Sequence, residues 1–332
     1  MIALYPWQQS LWDSLQQRKQ QQRLPHALLF LGQKGVGKNQ LAKALAWSLL
    51  CAHPNEEGMA CGQCKSCRLL STGAHADLLM VSPEEDHKEI RIDQIRALSQ
   101  AMALTAQHAG NRVAVISPAH TMNTKAANSL LKTLEEPMPD AYLLLVADHL
   151  DSLPVTVRSR CQLVHCHIPA QADAIDWLQS QETAATDWDL NLGLQGGAPL
   201  ASLDWVRSGA DTSRLQRFSE FESLVKGKAN PVEVAERWLK DGVEAPLQQL
   251  GNWLQDMIRI ASASEAAHLQ NRDVANALQS LTQGVSLESL FALLDYSWQA
   301  RVWLRTQANT QLLLEDVLIR CARLKRVVVK AT

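Results

Sequence analysis

The sequence predicts an α/β domain with a parallel sheet, followed by a purely helical region. Three observations lead to this prediction. Short apolar runs alternate with segments of helical spacing through the first half of the 332 residues. A glycine-rich loop joins the first of these runs to the first of these helices. From about Pro169 the strand pattern stops, and amphipathic helical segments continue to the C-terminus.

Five apolar runs are the candidate strands, and helical segments separate them. The runs are HALLFLG (26–32), DLLMVSP (77–83), RVAVISP (112–118), AYLLLVAD (141–148) and CQLVHCHIP (161–169). The helical segments include residues 40–50, 92–102 and 125–134. Strands and helices in alternation predict a parallel sheet with helices on both faces and ligand sites at the carboxyl ends of its strands.

Composition and pattern together predict three domains in a cytoplasmic protein. We expect an α/β domain over 1–167 with a cysteine-rich insert at 51–67, a small helical domain over 168–208 and an all-helical domain over 209–332. The formal net charge of −2 gives no general attraction to nucleic acid or membrane, so any DNA contact must be local or shared with partner chains. The N-terminus lacks the features of a signal peptide, and no apolar run reaches membrane-spanning length.

The loop after the first strand nearly matches a nucleotide-binding loop. Gly32, Gly35, Gly37 and Lys38 have the expected spacing, but Asn39 stands where a Ser or Thr normally binds Mg²⁺. Backbone N–H groups, the helix N-terminus and the lysine favour phosphate binding at such a loop. The amide oxygen of Asn39 is a poorer substitute, because its longer side chain places that oxygen differently. The alternative is a loop kept only as a strand-to-helix turn, and nucleotide occupancy stays open.

The third candidate strand ends without the acids that nucleotide hydrolysis requires. Ser117 and Pro118 follow strand 112–116, where an Asp and a Glu would hold the metal and polarise the attacking water. Glu135 and Glu136 belong to a different segment, at the end of a helix. Intrinsic ATP hydrolysis is therefore not expected.

A cluster of thiols predicts a structural metal site. Cys51, Cys61, Cys64 and Cys67 have the spacing C-x9-C-x2-C-x2-C, which suits tetrahedral Zn²⁺ bound by four thiolates. An iron–sulfur cluster is the weaker alternative, because Ser71 stands where a further Cys-Pro would complete that pattern. Ordinary buried thiols are the prediction for the other three cysteines: Cys161, Cys166 and Cys321.

Two arginines precede the fifth strand, and they allow two interpretations. Arg158 and Arg160 lie in LPVTVRSRC (153–161), between a helical turn and a strand. They could be solvated cations near a helix C-terminus. Alternatively, one of them could be an arginine finger that reaches the γ-phosphate of a nucleotide bound by a neighbouring chain.

Taken together, these motifs resemble the bacterial clamp-loader AAA+ family. The resemblance covers about residues 4–205 and is only architectural beyond them. It is carried by the cysteine insert and by five further segments: YPWQ (5–8), HALLFLGQKGVGK (26–38), ANSLLKTLEEP (127–137), LPVTVRSRC (153–161) and QGGAPLASL (195–203).

The resemblance implies an AAA+ P-loop module, a helical lid and a helical collar. It also implies a hetero-oligomeric, DNA-directed DNA polymerase III holoenzyme in which delta and gamma/tau subunits are partners and a sliding clamp is placed on primed DNA. The family's pattern assigns the trans-acting finger to Arg160 and the zinc ligands to the four clustered cysteines.

The ATP-hydrolysing relatives carry Asp-Glu after the third strand and Thr after the fourth, where this chain has Ser117-Pro118 and, approximately, Ala147-Asp148. This difference favours a non-hydrolysing subunit over the two alternatives, a gamma/tau-like motor with an atypical loop and a zinc-bearing adaptor outside replication.

Overall fold

The computed structural model describes residues 2–85, 87–107, 110–151, 153–182, 186–240, 242–262, 269–304 and 308–324. The chain divides into two compact units, the first formed by Met1–Ala184 with Gly197–Ala201 and the second by Ala185–Gly196 with Ser202–Thr332. The division at 1–167, 168–208 and 209–332 stays a prediction, and the last part of its third domain lies outside the described residues. None of the helices in the described ranges is long and apolar enough to cross a membrane.

The first unit contains all five predicted strands. Its strands are β1 (Ala27–Leu31), β2 (Leu78–Val81), β3 (Arg112–Ile116), β4 (Ala141–Ala147) and β5 (Gln162–His165). Its helices are α1 (Gln9–Gln20), α2 (Lys38–Leu50), α3 (Lys65–Ser71), α4 (Ile92–Met102), α5 (Thr124–Glu135), α6 (Val155–Arg158) and α7 (Gln171–Gln181). Short 3₁₀ turns occupy Pro6–Gln8 and Ala119–Thr121.

The strands form one parallel sheet in the order β2-β3-β4-β1-β5. Leu29 of β1 lies opposite Leu145 of β4 on one side and Leu163 of β5 on the other. The central strands are apolar along nearly their whole length, as expected for a sheet that is buried on both faces. The predicted parallel α/β domain is confirmed.

Helices cover both faces of the sheet. On one face, Phe30 shares a core with Leu41 of α2. On the other face, Leu29 shares a core with Ile95 of α4 and Leu130 of α5. Neighbouring residues of β1 therefore point to opposite cores, as strand geometry requires.

The second unit is helical, as predicted for the C-terminal region. Its helices are α8 (Trp188–Leu194), α10 (Ala210–Val225), α11 (Pro231–Leu239), α12 (Glu244–Ser262), α13 (Ala275–Thr282), α14 (Leu287–Trp303) and α15 (Thr310–Ala322), while α9 (Pro199–Arg207) has residues in both units. Buried aromatic side chains hold its core, where the rings of Phe221 and Trp253 stack at 5.4 Å between centroids.

The sheet brings three separate segments together at one edge. In parallel strands all carboxyl ends meet at the same edge. Because β4 lies between β1 and β3, the glycine loop after β1, Ser117 after β3 and Asp148 after β4 become neighbours. This edge is where the sequence places a ligand site.

Candidate functional site

The shape of the glycine loop depends on close packing within the protein. Gly35 and Gly37 have φ values of +89° and +90°, a left-handed conformation that favours glycine. A Cβ on Gly35 would also lie 2.6 Å from Cβ of Ala201. At the start of the loop, a Cβ on Gly32 would lie 2.1 Å from the carbonyl oxygen of Cys166. All three glycines are therefore required by the fold itself, whether or not a phosphate binds.

Side chains from the N-terminal 3₁₀ turn fasten the same loop. The indole Nε1 of Trp7 donates a hydrogen bond to the carbonyl of Val36 over 3.0 Å. The amide Nε2 of Gln8 donates to the carbonyl of Gly37 over 2.8 Å, and a Cβ on Gly37 would lie 2.6 Å from that nitrogen. Through these contacts the YPWQ segment (5–8) stabilises the conformation of the loop.

Lys38 has an anionic partner inside the chain. Its side chain is 5% exposed, and its Nζ lies 2.8 Å from Oδ1 of Asp148. The same ammonium group donates a hydrogen bond to the Gln33 carbonyl over 2.8 Å. The lysine that would reach the terminal phosphates of a nucleotide is therefore buried and paired with a half-buried carboxylate.

Asn39 and Ser117, which replace the Mg²⁺-binding and acidic residues of a hydrolytic site, contact each other. The Ser117 hydroxyl donates a hydrogen bond to Oδ1 of Asn39 over 2.5 Å. Ser117 is joined to Pro118 by a cis peptide bond, and the turn that follows, residues 119–123, contains no carboxylate. The Asn39 oxygen that could have bound a cation thus accepts a hydrogen bond from a hydroxyl instead.

A histidine completes the surroundings of Asp148. Nε2 of His120 lies 3.9 Å from Oδ2 of Asp148, and the backbone N–H of Asp148 donates to Nδ1 of His120 over 3.2 Å. Burial lowers the pKa of His120, and the charges of His149 and Lys38 lower it further, against the opposing effect of Asp148. His120 is therefore largely neutral at pH 7, and the charge of Asp148 is balanced by Lys38.

The four predicted metal ligands come together in the described structure. Their Sγ atoms all lie within 4.8 Å of one another, and the residues are Cys51, Cys61, Cys64 and Cys67. Sγ of Cys51 lies 3.5 Å from that of Cys67 and 3.9 Å from that of Cys64. Four sulfurs bound tetrahedrally to one Zn²⁺ are about 3.8 Å apart. The donor set and its spacing therefore fit zinc.

Backbone amides favour the thiolate form at Cys61 and Cys64, whereas burial raises the pKa values of Cys51 and Cys67. The N–H of Cys64 donates to Sγ of Cys61 over 3.4 Å, and the N–H of Cys67 donates to Sγ of Cys64 over 3.4 Å. Burial acts to raise the pKa of Cys64, but these and other hydrogen bonds outweigh it and lower that pKa to about 6. Backbone hydrogen bonds also lower the pKa of Cys61. Thiolates are the form that binds a metal.

The remaining cysteines differ in burial. Cys166 and Cys321 are buried, as predicted, whereas Cys161 is half-buried, so the prediction of an ordinary buried thiol is wrong for that residue. Burial raises the pKa of each of these three thiols to about 12. They are therefore protonated at neutral pH, unlike the thiolates that a metal requires.

Arg160 lies between α6 and β5, on a part of the surface that leaves its side chain 37% exposed. Its Nη2 lies 2.6 Å from Oε1 of Glu135, whose side chain is 48% exposed. Its Nη1 donates to the Thr156 carbonyl over 3.0 Å and to the Ser159 hydroxyl over 3.3 Å. The guanidinium group is thus oriented by the protein but remains accessible from outside.

Two acids in these contacts were missed in the sequence. Glu135 lies too far along the chain to replace the missing acids, but it is the partner of Arg160. Asp148, the residue after the fourth strand, is the partner of Lys38. Glu135 lies at the end of α5, which begins after Asn123, whose side chain accepts a hydrogen bond from a backbone N–H of the first turn. The position of Asp148 directly after an apolar strand was the one available signal.

Comparison with known proteins identifies close relatives along the whole chain. A family model described as "DNA polymerase III, delta subunit" matches residues 7–169, and one described as "DNA polymerase III, delta subunit, C terminal" matches residues 208–323. DNA polymerase III subunit delta′ of Pseudomonas aeruginosa is 36% identical over an aligned length of 332 residues. The alignment covers 98% of this chain and 99% of the relative. The subunit delta′ of Haemophilus influenzae is 30% identical over 323 residues, which cover 96% of this chain and 97% of the relative.

Among solved structures, a DNA polymerase III gamma subunit-related protein from Thermotoga maritima is similar with a TM-score of 0.47 and 17% sequence identity. The match covers 95% of this chain and 100% of that one.

Proposed function

Because the chain belongs to the family of DNA polymerase III delta′ subunits, we propose that it is a non-hydrolysing subunit of a cytoplasmic clamp loader. In this role it assembles with delta and gamma/tau subunits, and the complex places a sliding clamp on primed DNA. Arg160 acts in trans on a nucleotide bound by a neighbouring gamma/tau subunit. The alternative, a gamma/tau-like motor with an atypical loop, makes the opposite prediction for ATP turnover by this chain.

One contact carries the non-hydrolysing part of the proposal, the hydrogen bond from Ser117 to Asn39. Phosphoryl transfer to water needs a metal ion that neutralises charge and a group that orients the water. At this edge of the sheet a hydroxyl and an amide replace both, and they bond to each other. The carboxylate that is present, Asp148, pairs with Lys38.

The accessibility of Arg160 supports its role toward a partner. A finger must extend beyond its own chain, and its guanidinium must approach phosphate oxygens with the correct geometry. Arg160 combines 37% exposure with an orientation fixed by Thr156 and Glu135. Its present partner, Glu135, is itself exposed, and an exposed ion pair is easily exchanged for a contact with phosphate.

Reconstitution separates the proposal from its alternative. The purified chain is assayed alone for ATP turnover, and then with gamma/tau, delta, sliding clamp and primed DNA for clamp loading. We expect no turnover by the isolated chain and efficient loading only when it is present. Robust turnover by the isolated chain would support the motor alternative instead.

The second part of the proposal is a structural Zn²⁺ bound by the four clustered cysteines. Their number and spacing support it, and with four thiolates the ion has no open coordination position for catalysis. Cys64→Ser is expected to remove the ion, from about one equivalent to nearly none, and to lower the melting temperature. Elemental analysis of the purified variant measures this, and Cys161→Ser is the matched control. Unchanged zinc in Cys64→Ser would refute the assignment.

A further inference from the structure

We propose that the Asp148 carboxylate occupies the position beside Lys38 that a polyphosphate would otherwise take. It thereby prevents nucleotides from binding at the glycine loop. The proposed function concerns hydrolysis and the neighbour's site. This inference concerns binding at the chain's own loop, and it holds or fails independently of the role of Arg160. The ligand class excluded is a nucleoside triphosphate or inorganic pyrophosphate.

The first argument is the charge balance at Lys38. A glycine loop attracts phosphate through its backbone N–H groups, its helix N-terminus and its lysine. Here the lysine is 5% exposed and its Nζ already lies 2.8 Å from a carboxylate oxygen of Asp148. An incoming polyphosphate would have to share this cation with Asp148 and would be repelled by the carboxylate.

The second argument is that Asp148 is held in place. It directly follows β4, next to the strand that leads into the loop. Its backbone N–H donates to His120 over 3.2 Å, and His120 is too weakly basic in this buried setting to compete for the carboxylate. The negative charge of Asp148 is therefore available to pair with Lys38.

The third argument is that contacts within the protein fix the shape of the loop. The close approaches of Gly32 to Cys166 and of Gly35 to Ala201 fix its course. Removal of the carboxylate should thus leave the loop in its present form but with a buried, unpaired cation. Such a cation is unfavourable, and an anion that reaches it is bound strongly.

Direct binding measurements on the full chain test the proposal. Asp148→Asn removes the charge and nearly preserves the shape, while Asp151→Asn makes the same change in an exposed turn and serves as the control. Titration with ATP and, separately, with pyrophosphate should show binding by Asp148→Asn at least roughly tenfold tighter than by the wild type or the control. Adding Lys38→Ala to Asp148→Asn should abolish the gain.

Either of two results of the titrations would overturn the proposal. One is that the wild type binds ATP as tightly as Asp148→Asn does. The other is that the folded Asp148→Asn chain gains no affinity for either ligand. Circular dichroism checks folding, and Asp148→Ser gives the same test if the asparagine variant is unfolded. The wild type is also informative alone, because a clear rise of its melting temperature with ATP would contradict a closed loop.

The same titrations keep this proposal separate from the proposed function. Asp148→Asn should bind ATP without hydrolysing it, because Asn39 and Ser117 still supply neither the metal ligand nor the acid. Hydrolysis by this variant would count against the non-hydrolysing assignment while leaving the role of Asp148 in closing the loop intact.

Discussion

Two cations of the first unit, Lys38 and Arg160, each pair with a carboxylate, but in opposite surroundings. Lys38 is 5% exposed and its partner Asp148 is 21% exposed. Arg160 is 37% exposed and its partner Glu135 is 48% exposed. Removing one member of a buried ion pair is costly, whereas an exposed pair contributes about 0–1 kcal/mol. Both partners belong to this chain, but the difference in exposure indicates that Lys38 is held firmly by Asp148, whereas Arg160 can readily exchange Glu135 for another anion.

This contrast offers a physical explanation for the loss of ATP hydrolysis that we propose at the glycine loop. The chain retains the strand, the turn and the helix of a nucleotide site, because packing requires the glycines. The groups that would handle phosphate and metal now satisfy one another, as Ser117 and Asn39 do. The role toward a nucleotide that we propose falls instead to Arg160, whose side chain is exposed. Substitutions of Arg160, Lys38 and Glu135 test that contrast, from its strongest consequence to its weakest.

The largest effect is expected from Arg160→Ala. If the guanidinium completes a neighbour's ATP site, its loss should slow ATP turnover by that site about 10³-fold. The rate is measured in the complete complex with clamp and primed DNA. Arg158→Ala, two residues away in the same segment, should change the rate by less than about twofold.

A complex with Arg160→Ala that turns over ATP and loads clamps at the wild-type rate would refute the finger. In that case Arg160 would be a surface cation like many others, and the contrast with Lys38 would concern stability alone. Loss of assembly is checked by size-exclusion chromatography, because a complex that fails to form gives no information on catalysis.

Lys38→Ala should have the opposite profile, with a cost in stability and little cost in function. It leaves Asp148 without its cation, and we expect a loss of about 2–3 kcal/mol, below the usual 3–5 kcal/mol because Asp148 can reach water. Clamp loading below the melting temperature should change by less than about twofold. The double variant Lys38→Ala/Asp148→Ala should recover part of the lost stability. Chemical denaturation of the wild type, the two single variants and the double variant gives the coupling energy between the two residues.

A large loss of clamp loading in a folded Lys38→Ala complex would contradict this expectation. It would mean that Lys38 takes part in clamp loading and that its ion pair with Asp148 breaks during that process.

The sequence predicts elements and motifs better than it predicts these contacts. Strand β1 and helix α2 were predictable because apolar periodicity and the glycine spacing are local properties. The cysteine cluster was predictable because its four ligands lie within one short segment. The pairing of Lys38 with Asp148 was not predictable in this way, because it depends on β4 being placed beside β1. The resemblance to a clamp-loader family pointed to the relatives that were found.

The smallest effect is expected from Glu135→Gln, which tests how firmly Arg160 is held. Without the carboxylate, Arg160 keeps its hydrogen bonds to the Thr156 carbonyl and the Ser159 hydroxyl. Stability should fall by less than about 1 kcal/mol, as for other exposed pairs. ATP turnover in the complex should change by less than about fivefold, since the guanidinium remains near its position.

Glu136→Gln, the adjacent acid, is the matched control for charge. If Glu135→Gln slows turnover as severely as Arg160→Ala while Glu136→Gln does not, then Glu135 is essential for orienting the finger. Arg160 would then depend on its carboxylate as strongly as Lys38 does, and exposure would no longer distinguish the two cations. If both variants behave like the wild type, Arg160 exchanges Glu135 for phosphate at little cost, as its accessible position predicts.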